Sequence, residues 1–194
     1  MESPTRSRGF KIPNARHLEK VAGHYLTRYA ASEFSLRRVL DNRLRRAAQR
    51  IPEFANDAAL QTSLRAVIGT IIERYKKSGI LNDVAFTEMK TASLRRAGRS
   101  ARAIKAKLGQ KGIETRLIDR ALTATIDGLE PEEAELKAAL ALARRRRLGP
   151  YRKKESGPDQ GRKDLATLAR AGFSFAVAKQ VLGPAVADLI DETF

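Results

Sequence analysis

The sequence contains no cysteine, so disulfides and thiolate metal sites are excluded and nothing marks an oxidising compartment. Tryptophan is also absent and aromatics make up only 6% of the chain, so the core must be built from aliphatic side chains. Leu, Ile, Val and abundant Ala suit close-packed helices better than sheets. No apolar run approaches the roughly 20 residues that span a bilayer. The basic N-terminus has no apolar stretch behind it and does not read as a secretory signal. Only two histidines are present, His17 and His24. A helical ligand pair would use i, i+4, which theirs does not, and no further His or Cys exists to complete a shell, so no metal is expected. The phosphate loop G-x-x-x-x-G-K-[ST] and the zinc motif H-E-x-x-H are both missing. The carboxylates are scattered, mostly in first helical turns where dipole and capping account for them. These absences argue against an enzyme and against a bound cofactor.

What the chain has in excess is positive charge. Its 194 residues carry 38 Lys and Arg against 22 Asp and Glu, a formal net charge of +16. That is more than solubility requires, and the resulting field draws polyanions such as nucleic acid. A hydrophobic content of 42% still supports packed cores.

The apolar residues recur with helical period almost throughout, and no stretch alternates like a strand with hairpin turns. Residues 1–14 read as a basic tail. Leu18, Val21, Ala22, Tyr25, Leu26 and Tyr29 form the first stripe. Ser35 is the expected N-cap of a second helix carrying Leu36, Val39, Leu40 and Leu44, which Pro52 should end. A third helix, from near Asn56-Asp57, carries Leu60 through Tyr75 and stops at Gly79. From Asn82 or Asp83 a helix is expected to turn Phe86, Met89 and Ala92 inwards, until Gly98 breaks it. Ser100 starts the next, with Ala101, Ile104 and Leu108 as its stripe. Gly112 ends that one, and Leu117, Ile118, Ala121 and Leu122 line the third of this trio. Pro131 opens a helix with three early glutamates, a core face of Leu136, Leu140 and Ala143, and four terminal arginines. Residues 149–161 read as a loop. Short helices around Leu165 and Leu168, from Ser174 to Leu182, and around Val186, Leu189 and Ile190 complete the chain.

Two junctions repeat. Leu108, Gly112, Ile113, Leu117, Ile118, Ala121 and Leu122 share one register with Leu168, Gly172, Phe173, Val177, Ala178, Val181 and Leu182. The fold class expected is all-α, with three tandem three-helix repeats of roughly 50 to 60 residues in an elongated, curved, solenoid-like array. The repeats are placed at 15–78, 79–129 and 130–194, with a basic loop at 144–163 in the last.

The candidate contact residues are the basic ones. Arg95, Arg96, Arg99, Arg102, Lys105, Lys107 and Lys111 run across the first junction of the middle trio and down its second helix. Arg144, Arg145, Arg146 and Arg147, with Arg152, Lys153 and Lys154 nearby, suggest a second anion-facing region. Macrodipole stabilisation accounts for one or two of these arginines, at roughly 0.3–1 kcal/mol each, and not for four. Such groups neutralise phosphates in a salt-sensitive, sequence-independent way. The aromatics fall mostly at core positions (Tyr25, Tyr29, Tyr75, Phe86), so no platform for stacking single-stranded bases is apparent. The alternative is a helix-turn-helix regulator that binds duplex DNA directly, although no helix shows the Asn, Gln and Arg combination of strong base readout.

The order of motifs resembles the RecX family of regulators. The residues that carry the likeness are Tyr25-Leu26-Thr27-Arg28-Tyr29 with Phe34-Ser35-Leu36-Arg37-Arg38-Val39-Leu40, then Gly79-Ile80-Leu81-Asn82-Asp83-Val84-Ala85-Phe86, Arg95-Arg96-Ala97-Gly98, and Ile104 through Ile113. Its most specific part is the middle unit, where Leu-x-Asp-x-x-Phe and Lys-Gly-Ile stand in order. The likeness is strong over about residues 15–125 and weak over the last third. Departures are Ile51-Pro52, where the other units have Gly, and the basic insertion at 144–163. The resemblance implies a cytoplasmic bacterial protein of tandem three-helix repeats; separately, the chain is expected to be a monomer and not an enzyme. The resemblance further implies binding to the RecA recombinase filament on single-stranded DNA, and modulation, usually inhibition, of that filament.

Overall fold

The computed structural model describes residues 11–126, 128–152 and 159–183, and every regular element among them is helical. The expectations for residues 1–10, for Lys153 and Lys154, and for the helix around Val186, Leu189 and Ile190 lie outside the described residues. The chain forms two compact units, residues 1–86 and 87–194.

The first unit comprises α1 (Ala15–Arg28), α2 (Glu33–Ala48), α3 (Pro52–Asn56), α4 (Ala58–Lys77) and the start of α5 (Asp83–Arg96). Asn14 caps α1, its side chain accepting the His17 N–H at 2.8 Å. Leu18 and Ala22 are fully buried, with Val21, Tyr25 and Leu26 packed beside them. The stripe ends there. Tyr29 is the C-cap with extended backbone and is 56% exposed, not a core residue. His17 Nε2 accepts from Arg43 Nε at 3.1 Å, which requires the neutral ring. Burial, and then the charges of Arg43 and Lys20, hold its pKa below the usual histidine value.

The N-cap of α2 is Ser32 and not Ser35. The Ser32 side chain accepts the Ser35 N–H at 3.2 Å, and the two hydroxyls bond each other at 2.9 Å. A Ser three residues inside a helix satisfies the same spacing as a Ser at its start, so sequence alone left the helix one turn short. Pro52 is likewise a start rather than a stop. It stands at the first position of α3, where its missing N–H is no loss, and that short helix delivers Phe54 to complete burial. Asp57 caps α4 through the Leu60 N–H. Leu64, Ile68, Ile71 and Ile72 then meet Leu36, Leu40 and Leu44 of α2 in one aliphatic core.

Leu81, Asp83 and Phe86 close this unit. Leu81 and Phe86 are buried. Asp83 Oδ1 accepts the backbone N–H of Glu33 at 2.8 Å, satisfying one orphan donor at the N-terminus of α2. The cap of α5 itself is Asn82, which accepts the Ala85 N–H.

The second unit contains the rest of α5, then α6 (Ala101–Gly109), α7 (Thr115–Ala124), α8 (Pro131–Arg146), a 3₁₀ turn (Gly149–Tyr151), α9 (Gln160–Arg170) and α10 (Phe175–Leu182). Met89 is 47% exposed; Thr87 and Thr91 are buried there instead. The buried face of α8 is built from Ala138, Ala139, Leu142 and Ala143, with Leu136 and Leu140 only partly buried at its edge. Small side chains let α8 approach its neighbours closely. A Cβ on Gly98 would lie 2.7 Å from Leu142 N and 2.9 Å from Ala138 O. Gly98 is therefore required twice, by that contact and by its φ of +66°.

The junctions share one hydrogen-bond geometry. Arg99 N–H bonds Leu94 O, Ile113 N–H bonds Leu108 O, Leu148 N–H bonds Ala143 O, and Phe173 N–H bonds Leu168 O. Each is a Schellman closure around a left-handed residue. That residue is Gly98, Gly112 or Gly172 in three cases and Arg147 in the fourth. Gly172 packs directly on Ser100, whose hydroxyl donates to Ala171 O at 2.9 Å while also capping α6.

Asp164 is 2% exposed and anchors the segment expected to be loop. It accepts from Gly149 N at 2.7 Å, Arg152 Nη2 at 2.5 Å and Gln160 Nε2 at 3.0 Å. Burial opposes its charge, but these hydrogen bonds and the Arg152 guanidinium outweigh it and hold the carboxyl below the ordinary carboxylate value.

Candidate partner and nucleic-acid interface

The structure sorts the basic residues by what else they do. Arg95 turns inward, with its side chain only 12% exposed. It pairs with Glu135 of α8, and its Nη1 also approaches Arg99 O at 3.4 Å. The same Glu135 Oε1 accepts the Ala101 N–H at 2.8 Å. Arg95 therefore helps fasten α5, the start of α6 and α8 to one another. Its Nε is buried without a hydrogen-bond partner.

Arg96, Arg102, Lys105 and Lys107 are exposed, while Arg99 and Lys111 are half-buried. On α6 the buried Ile104 and Leu108 fix the inner face. At about 100° per residue, Arg102 and Lys105 fall on one flank and Lys107 on the other. They do not form a single row. Lys105 pairs with Asp119 at 2.7 Å, both side chains being 48% exposed. A pair this exposed is worth at most about 1 kcal/mol, so a phosphate competes for Lys105 at little cost.

Arg144, Arg145, Arg146 and Arg147 are all exposed at the end of α8. The Arg144 guanidinium lies 5.4 Å from the centroid of the Tyr151 ring. Arg152, expected to join them, is instead held by Asp164.

Sequence reasoning missed a groove in this unit. A cavity of about 430 Å³ opens between the end of α5, the α7–α8 connection and α8. Ala92, Ala134, Ala138 and Ala141 lie along it, and Arg96 and Lys137 stand in its lining. The signal was present as alanines at i, i+4 and i+7 on α8, but that spacing reads as core. Lys137 had no basic neighbours to mark it. An apolar floor with cations beside it can accept an apolar anchor and an acidic group of a partner together. Among the described residues no group of three His, Cys, Asp or Glu could hold a metal ion, and no helix is long and apolar enough to cross a membrane.

A family model described as "RecX, second three-helix domain" matches residues 82–122, which run from the Asn82 cap to Leu122 in the last turn of α7. The "Regulatory protein RecX" of Myxococcus xanthus is 38% identical over 181 residues, covering 91% of this chain and 91% of that protein. The chain belongs to the RecX family. Proteins of the same name from Agrobacterium fabrum and Mycolicibacterium vanbaalenii are 35% and 30% identical over 102 and 117 residues. Those matches cover 53% and 60% of this chain, and 51% and 63% of the relatives. The residues of the RecX match include the Asn82 cap, buried Phe86, the Gly98 crossing, the Ser100 cap and the Gly112 turn.

Proposed function

We propose that this chain is a non-enzymatic regulator that binds a RecA recombinase filament on single-stranded DNA and inhibits its strand exchange, ATP hydrolysis and co-protease activity. The observation that carries the proposal is the alanine-lined groove flanked by Arg96 and Lys137, in the same unit as the exposed Arg102, Lys105 and Arg144–Arg147. An apolar groove suits a protein partner, and exposed cations suit phosphates, so a unit carrying both serves a nucleoprotein filament better than bare DNA. Family membership supports the regulatory role, and the filament as its target is what the family resemblance implies. We further propose that the chain acts in the cytoplasm as a monomer, with residues 15–78, 79–129 and 130–194 as tandem repeats of three longer helices, the short α3 being an addition to the first. The recurring Schellman junctions support the repeat.

The test is RecA ATP hydrolysis and strand exchange on single-stranded DNA, titrated with the purified chain up to equimolar protein. Inhibition that weakens in the Arg96→Glu/Arg102→Glu variant supports the proposal. No effect at equimolar protein, combined with a tight, salt-robust footprint on one duplex sequence, would select the duplex-binding alternative. That alternative would draw on Arg116 and Arg120, exposed on α7 beyond the tight Gly112 turn.

A further inference from the structure

The first unit contains a second groove, open and about 680 Å³ in volume, along one side of α1. Lys20, His24 and Arg28 stand beside it at i, i+4 and i+8, an exposed row about 12 Å long at 1.5 Å per residue. The adjacent row on the helix is Tyr25 and Tyr29, and Val39 of α2 contributes from across the groove. The tyrosine rings sit 5.3 Å apart between centroids, tilted by 42°. Tyr25 is packed against the core from beneath and is held in place. Tyr29 lies beyond it at the helix end, anchored by its backbone N–H to Tyr25 O at 3.0 Å, and the residue is more than half exposed. Core packing gives no reason for a large aromatic at this exposed position. Among the described residues, no carboxylate lines the groove.

We propose that this groove binds single-stranded nucleic acid, with a base stacked on Tyr29 and the adjoining phosphates held by Lys20 and Arg28. A fixed tyrosine supporting an exposed one provides a ready stacking surface, and every base has a face to offer it. Lys20 and Arg28, in a groove that no carboxylate lines, supply the complementary charge. A duplex keeps its base faces inside its own stack, so only an unpaired strand gains from the rings. The site involves none of the cations assigned to the recombinase interface and does not rest on that reading.

The test uses the full chain without recombinase and a labelled oligothymidylate of about 16 nucleotides, the upper size of a compact single-strand site. Four probes are compared with it: an abasic phosphodiester of the same length, the matching RNA, a duplex and polyglutamate. Since the chain has four tyrosines and no tryptophan, quenching of its own tyrosine emission reports stacking directly. Tyr29→Ala should weaken oligothymidylate binding about tenfold, while Tyr29→Phe, which keeps the ring, should bind as the parent does. Tyr29→Leu, which retains an apolar side chain at that exposed position, should lose as much as Tyr29→Ala. On the abasic strand Tyr29→Ala should change nothing. Lys20→Gln/Arg28→Gln should lower the slope of log K against log salt by about 1.4, at 0.7 per phosphate contact. The RNA arm shows which strand is preferred, and either preference supports the site. The proposal is overturned if the parent chain binds no single strand, if it prefers the duplex or polyglutamate, or if Tyr29→Ala binds oligothymidylate unchanged. An equal loss by Tyr29→Ala on the abasic strand would also overturn it.

Discussion

Glu135 holds Arg95 and the N-terminus of α6 with one carboxylate oxygen, which receives both the guanidinium and the Ala101 N–H. One member of the basic run is thereby committed to the fold. Loss of a largely buried pair costs more than loss of an exposed one, because the remaining charge is left without a partner. Glu135→Ala should destabilise the chain by about 2–3 kcal/mol, the amount discounted for the partial exposure of both groups. Arg96→Ala should cost less than about 0.5 kcal/mol, as is usual for an exposed surface substitution. Urea denaturation checks both. Equal, small losses would show that Arg95 contributes nothing to the fold.

Asp83 caps α2 from fifty residues away. Its pKa is raised, first by burial and then by the nearby Glu33 carboxylate, against the lowering effect of the Glu33 N–H bond. A raised folded pKa means that the protonated form is favoured in the folded state. This contribution to stability is present below the ordinary value of 3.8 and is lost as pH rises through the folded pKa. At neutral pH, Asp83→Asn should thus be neutral or slightly stabilising, since the amide oxygen still accepts the bond. Asp83→Ala should cost about 1 kcal/mol, the usual loss for a missing cap. Thermal melts of the two variants at pH 7 distinguish the effects.

Asp164 has the opposite sign. Its folded pKa is lowered, so its contribution is present above the ordinary value of 3.8 and is lost as pH falls through the folded pKa. Acid loosening of the contacts that Asp164 makes with Gly149, Arg152 and Gln160 should begin in that window, followed by exchange of the Gly149 amide. Asp164→Asn should flatten the pH dependence at a cost of about 1–3 kcal/mol at pH 7, the range for a buried charged bond network. An unchanged acid transition would exclude this role.

Arg147 occupies a left-handed position, φ +56°, that Gly fills at the matching junctions. The strain of a side chain there is roughly 1 kcal/mol. Arg147→Gly should therefore recover up to about 1 kcal/mol. Gly98→Ala, by contrast, should lose more than that, because its Cβ would meet the α8 backbone as well as the unfavourable φ. Both values follow from chemical denaturation. A destabilised Arg147→Gly would mean that the arginine side chain contributes more than its conformation costs.

The helices and their breaks were largely legible in the sequence. Period and capping are decided by residues within a few positions of each other, so Ser100, Gly112 and Gly172 could be placed directly, and the Asp57 and Asn82 caps to within one residue. The errors were also local in origin. Ser32 and Ser35 offer the same cap spacing one turn apart, and Pro52 is as suited to opening a helix as to ending one. The alanine face of α8 was misjudged because leucines outrank alanines in any apolar pattern, although close helix crossing favours the smaller side chain.

By itself, the sequence determined an all-helical chain, its junctions and a charge excess suited to a polyanion. Those properties follow from neighbours along the chain or from simple counting. The tertiary structure decided which charges remain available. Arg95 and Arg152 meet carboxylates supplied by other helices, while Arg96 and Lys137 come together at a groove whose walls are distant in sequence. It also decided that Tyr29, one turn beyond Tyr25 on the same stripe, projects past the core into solvent. Period gives the direction in which a side chain points. Only packing determines whether another part of the chain is there to cover it.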